Sequence, residues 1–156
     1  MIDALRDFTA GLPEILQWLG VALAGAIPFV ESYFGSVVGV IAGVHPVIAI
    51  LAAIIGNVIS MLIFVLSAHG VRSKVTSNKA EKPESPRRAK LRARFDKYGV
   101  AAVSLLGQTL LPSQITSAAM VSFGASRNAV IFWQIISIIL WGTAFGVLAS
   151  LGVALT

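Results

Sequence analysis

Gly25-Ala26-Ile27-Pro28-Phe29-Val30-Glu31-Ser32 is the stretch on which the reading of this chain turns. Glu31 is the only carboxylate between Ile15 and Val71, and it stands three places after a proline, inside an apolar run rather than at its edge. A carboxylate kept at membrane depth costs roughly 2.5–3.5 kcal/mol on insertion scales, so it is a candidate for function. What surrounds Glu31 decides whether it lies at depth.

Of the 156 residues, 56% are hydrophobic and only 12% charged, against about 25% charged in ordinary globular domains. Mean hydropathy is +0.86, and several apolar runs reach the ~18 residues that a spanning helix needs. These values predict a single all-α integral membrane domain. Cysteine is absent, which removes disulfides and thiolate metal sites. The net charge of +5 is concentrated: ten of the twelve basic residues lie between Arg72 and Lys97 with only Glu81, Glu84 and Asp96 opposing them, giving +7 there and −2 elsewhere. Between two apolar blocks, such a stripe reads as a cytoplasmic loop under the positive-inside rule and not as a nucleic-acid surface. The start, Met1 to Asp7, has no basic region of the signal-peptide kind, so the apolar segments are expected to belong to the mature protein.

Taken in order, residues 1–12 place Ile2, Leu5, Phe8 and Leu12 near helical spacing among Asp3, Arg6 and Asp7, which predicts an interfacial amphipathic helix. Between Glu14 and His45 lie about 30 residues, too many for one span and too few for two. Pro28 interrupts them, removing a donor and biasing Ile27 away from the helix. The expectation is a re-entrant hairpin over 13–45 with its turn at Pro28–Ser32. The alternative is one span from Ile15 to about Phe34 and an apolar loop. Gly35, Gly39 and Gly43 recur every fourth residue, a spacing that favours close helix packing.

A transmembrane helix is expected over 46–69. A basic cytoplasmic loop follows over 70–98, flexible near Thr76 to Pro86 and carrying an amphipathic helix near Arg87 to Lys97. A second interrupted run, 99–125, has Pro112 amid Gln108, Thr109, Ser113 and Gln114 and predicts a second re-entrant hairpin. The last transmembrane helix covers 128–152, with Trp133 and Trp141 as belt or packing residues.

The halves can be superposed by punctuation. Gly43-Val44-His45-Pro46 aligns with Gly124-Ala125-Ser126-Arg127, and a span follows each. The fold expected is therefore two inverted repeats, each a re-entrant hairpin followed by one transmembrane helix, which is a transporter pattern. With the basic loop cytoplasmic, both termini fall outside. The location is the inner or plasma membrane. A plain four-span topology, with both termini inside, is the competing arrangement.

Gly25-Ala26-Ile27-Pro28, Gly56-Asn57 and Phe95-Asp96-Lys97-Tyr98-Gly99 leading to Pro112 resemble the small multi-drug export protein family, which is distantly similar to the DedA/VTT membrane protein superfamily. The resemblance spans roughly residues 13–150. It implies two opposed re-entrant hairpins and membrane transport: export of small molecules in one branch, movement of lipid or lipid-carrier phosphate in the other. DedA-type second hairpins carry arginines around the proline. This chain has Thr109 and Ile115 there, with Gln108 and Gln114 adjacent, so a phosphate would lose its guanidinium partners.

The site expected from these residues is Glu31 and Ser32 on the first tip, Asn57 on the following span, and Gln108, Thr109, Ser113 and Gln114 on the second tip. Pro28 and Pro112 are structural at the tips. Glu31 would hold a proton or a cation, and the neutral groups would supply donors and acceptors. The competing reading is that Glu31 or Ser32 only caps the amides of 33–35, and that the glutamines only satisfy broken backbone. His45 reads as an exposed corner, His69 as interfacial, Trp18 as a lipid-interface or packing residue, and Arg127 as a topology determinant.

No G-x-S-x-G, Walker loop, H-E-x-x-H or metal-ligand cluster occurs, so no enzyme activity, metal or cofactor is expected. The partners expected are the bilayer, a small-molecule or lipid substrate, a proton or cation, and further copies of the chain, without nucleic acid. Proton-coupled export of small cations leads. A DedA-like lipid flippase or scramblase and a non-transporting scaffold or assembly factor are the alternatives.

Overall fold

The computed structural model describes residues 1–76 and 95–155, except the side chains of 75, 76, 95 and 97. The described residues are mostly helical, without a strand. In chain order they are α1 (Ile2–Ala10), a 3-10 turn (Glu14–Leu16), α2 (Gln17–Ala26), α3 (Glu31–Ile41), α4 (Pro46–Thr76), a π-helical turn (Phe95–Gly99), α5 (Val100–Gly107), α6 (Ser113–Ser122) and α7 (Arg127–Ala154). α4 and α7 are both long and apolar enough to cross a membrane.

Two compact units result, one of Met1–Ser60 with Ile138–Thr156, the other of Met61–Ser137. In the first unit α2 packs on α3, and α1 packs on both. Ile2 and Leu5 of α1 rest on the buried cluster Ala24, Val30 and Val38. A second cluster joins Val21, Val40 and Val44 to Ala49, Ala52 and Ala53 of α4.

Glycine sets the closeness of this packing. A Cβ on Gly25 would overlap the carbonyl of Ala53, and one on Gly56 would overlap the carbonyl of Ala22. Thus α2 and α4 cross backbone to backbone, as small residues permit. α4 buries Ala49, Ala52, Ala53, Gly56 and Asn57 while Val47, Leu51, Ile55 and Ile59 are exposed. Over residues 46–60 its small residues face inward and its large aliphatic residues outward, while further along it buries Met61 and Val65.

In the second unit α5 packs on α6. Arg72, in the last turns of α4, donates to the Val121 carbonyl at the end of α6 (3.4 Å), where a cation meets the negative pole of that helix. Asp96 Oδ1 accepts from the Ser126 amide at the start of α7 (3.0 Å), and Ser126 Oγ accepts from the Ala129 amide (3.5 Å).

The two hairpins end alike. Gly43 (φ +90°) and Gly124 (φ +109°) both adopt the left-handed conformation. Behind them the Val44 amide bonds the Gly39 carbonyl and the Ala125 amide bonds the Met120 carbonyl, the Schellman closure of a helix C-terminus. The long helices begin directly after, at Pro46 and Arg127.

Three details differ from expectation. α4 continues to Thr76 instead of ending at 69, because Gly70 is tolerated inside a helix already propagated through an apolar stretch. Gly35 and Gly39 pack closely, against Gly25 and Ala53 and against Ala49 and Val21, but Gly43 meets nothing within 4 Å and serves the turn. The first turn occupies 27–30, so Glu31 is the first residue of α3. The amphipathic helix expected near Arg87 to Lys97 lies outside the described residues over most of its length.

Candidate functional site

In the first unit Ile27 is extended (ψ 125°), which ends α2 as its place before Pro28 dictates. The Val30 amide closes a turn onto the Ile27 carbonyl (3.1 Å) with Phe29 at φ +72°. Proline second and a positive φ third is the type II arrangement, whose third position is normally glycine. Glu31 follows at φ +53°, and its own amide also bonds the Ile27 carbonyl (3.0 Å). Two side-chain-bearing residues in left-handed conformation within three positions store strain, about 1–3 kcal/mol each. Strain of this size gathers at functional turns.

Glu31 itself is completely buried (0% exposed), while Phe29 beside it is 59% exposed. The turn thus drives its carboxylate inward and its ring outward. Ser32, also fully buried, donates its hydroxyl to the Ile138 carbonyl of α7 (2.8 Å). This bond fastens the start of α3 to a long helix, a role the capping alternative did not foresee for Ser32. Gly142, a turn further along α7, leaves space for Ser32 and Ile54. Tyr33 donates to the Phe29 carbonyl (3.4 Å) and makes tilted ring contacts with Phe34 and Phe145. Trp141 joins that aromatic group through Phe145. Asn57 is buried in the same unit.

A cavity of about 750 Å³ also belongs to the first unit, lined by Glu14, Gln17, Trp18, His45 and apolar neighbours at the base of the hairpin. Glu31 does not line it. His45 and Trp18 are exposed there, and sequence reasoning had assigned them no shared surface.

In the second unit Gln108 starts the tip and is buried, its Oε1 accepting from the Ser137 hydroxyl (2.5 Å). Ser113 and Gln114 open α6, both fully buried, and Ser113 donates to Gln114 Oε1 (3.4 Å). Thr109 is exposed, its hydroxyl bonded to the Leu106 carbonyl (2.7 Å). Pro112 precedes α6 with φ −55° and ψ 142°, and its carbonyl accepts the first helical amide, that of Thr116.

The residues expected to form one site therefore divide: Glu31, Ser32 and Asn57 lie in the first unit, and Gln108, Thr109, Ser113 and Gln114 in the second. Sequence reasoning missed Ser104, Gln134, Ser137 and Ser117, all fully or almost fully buried in the second unit. Their signal was helical spacing, Ser104 four before Gln108 and Gln134 three before Ser137.

Among the described residues no group of three or more His, Asp or Glu is placed to hold a metal ion. No family model, curated protein or solved structure matches the chain. The functional reading rests on the side chains themselves.

Proposed function

We propose that this chain is a small integral membrane transporter that exports small cationic molecules in exchange for protons, with Glu31 as the coupling carboxylate. Two inverted repeats, each a re-entrant hairpin followed by a spanning helix, form the fold. The basic segment is cytoplasmic and the protein works as an oligomer in the cell membrane.

The membrane assignment is supported by residues 46–60 of α4, where large aliphatic residues are exposed and Ala, Gly and Asn are buried. That is the reverse of a water-soluble helix and suits a lipid surface. Arm length supports re-entrance. α2 and α3 have 10 and 11 residues, about 15–16 Å each, half of a ~30 Å hydrocarbon core. α5 and α6, with 8 and 10 residues, are no longer. The matched glycine corners at 43 and 124, each followed directly by a long helix, support a repeat. Two long helices per protomer are few to enclose a path, hence the oligomer.

The observation that carries the function is a fully buried carboxylate at a strained turn of a broken helix. A low dielectric penalises its charged form, and taking up a proton or binding a cation relieves that penalty. One proton or one monovalent cation meets that need equally, so the exchange of one for the other is electroneutral. A lipid-phosphate substrate is disfavoured because residues 107–117 contain no arginine or lysine. The test is a reconstituted vesicle with an imposed pH gradient. Cation export coupled to proton uptake is expected of the wild type, with loss of coupling by at least tenfold in Glu31→Gln. Unchanged coupling in that variant would sink the proposal.

A further inference from the structure

The segment running from Asp96 through α5 to Gln108 and the segment running from Ser126 into α7 are tied at two levels of the second unit. The Ser126 amide reaches Asp96 across 30 positions (3.0 Å), and the Ser137 hydroxyl reaches Gln108 across 29 (2.5 Å). The offset is nearly constant, so the two segments advance in the same direction. One helical turn back from Gln108, an offset of 29 to 30 sets Ser104 level with Trp133 and Gln134, and of these Gln134 is the buried one. Ser104 shares a face with Gln108, and Gln134 shares one with Ser137, since three or four residues make a turn. Those are the faces that the Ser137–Gln108 bond brings together.

Both residues are buried, Ser104 at 0% and Gln134 at 1% exposure. Neither Ser104 Oγ nor Gln134 Oε1 has a hydrogen-bond partner among the described residues. Two hydrogen-bonding oxygens that this register sets at one level, each buried and each unmatched, point to a position for a small bridging donor. The donor set is neutral. Asp96 is the one carboxylate among the described residues of this unit, and it is engaged at the start of α7. A metal ion would bring a charge with nothing to balance it. Water fits.

We propose that one buried water bridges Ser104 Oγ and Gln134 Oε1, donating to the amide oxygen and exchanging its second bond with the serine hydroxyl. With the Ser137–Gln108 bond it completes a polar seam along the α5–α7 contact, leading to the second hairpin tip.

A double-mutant cycle on the full chain in lipid nanodiscs tests this. A bridged pair predicts that Ser104→Ala and Gln134→Leu each lower the Tm, by about 2–6 °C, because each strands the other's water. The double variant should lose clearly less than the sum. A rise in Tm for Gln134→Leu alone, as expected of a merely orphaned oxygen, or strictly additive losses, would overturn the proposal. Should a variant not fold, the wild type decides: a nuclear Overhauser contact between a long-lived water and the Gln134 side-chain amide is expected, and its absence overturns the bridge.

Discussion

Phe29 and Glu31 carry side chains at φ +72° and +53°, where a Cβ meets backbone that glycine would avoid. Only one of these side chains has a use for the strain. Phe29 is mostly exposed, so Phe29→Gly should relieve its turn at little packing cost and raise stability by about 1 kcal/mol, read as a higher Tm in nanodiscs. The same change at Glu31 removes the group the turn places. The isolation of Glu31 was legible in the sequence, because one carboxylate in a long apolar run needs no partner to be noticed. Its conformation was not legible, since a positive φ at a non-glycine residue has no compositional mark. Ser104 and Gln134 were invisible for another reason: each is one ordinary polar residue in an apolar helix, and only the register of α5 against α7 pairs them.

At the scale of elements, glycine does two different things that the four-residue spacing does not distinguish. Gly35 and Gly39 admit neighbouring chain, whereas Gly43 turns it. The periodic row in the sequence pointed to packing, but the crossing it serves, Gly25 on Ala53 and Gly56 on Ala22, depends on which helix lies opposite. A paired comparison within α4 tests that crossing. Gly56→Ala should destabilise the fold by about 1–3 kcal/mol, because its methyl group overlaps the Ala22 backbone. Gly70→Ala, with nothing within 4 Å, should stabilise α4 by roughly 0.5–1 kcal/mol through backbone entropy alone. Thermal unfolding of the two variants side by side reads both signs. Equal effects would mean that the close approach of α2 to α4 contributes nothing.

For the whole molecule, element order was the most legible part. Prolines at 28, 46 and 112 and glycines at 43 and 124 sit at or beside the ends of helices, and apolar length separated long helices from short ones. The extension of α4 to Thr76 was masked because basic residues there were read as loop, although Arg72 serves as a helical side chain closing α6. The central claim is that the short arms dip into the bilayer and return, which puts the Glu31 turn at depth. Sidedness tests it most directly, and the chain's lack of cysteine makes single-cysteine labelling clean. Asp3→Cys, Ser85→Cys and Leu155→Cys should each be expressed singly and treated with a membrane-impermeant maleimide, before and after permeabilising cells. Re-entrant hairpins predict that positions 3 and 155 react on intact cells and position 85 only after permeabilisation; termini that react only on the same side as position 85 would contradict the account.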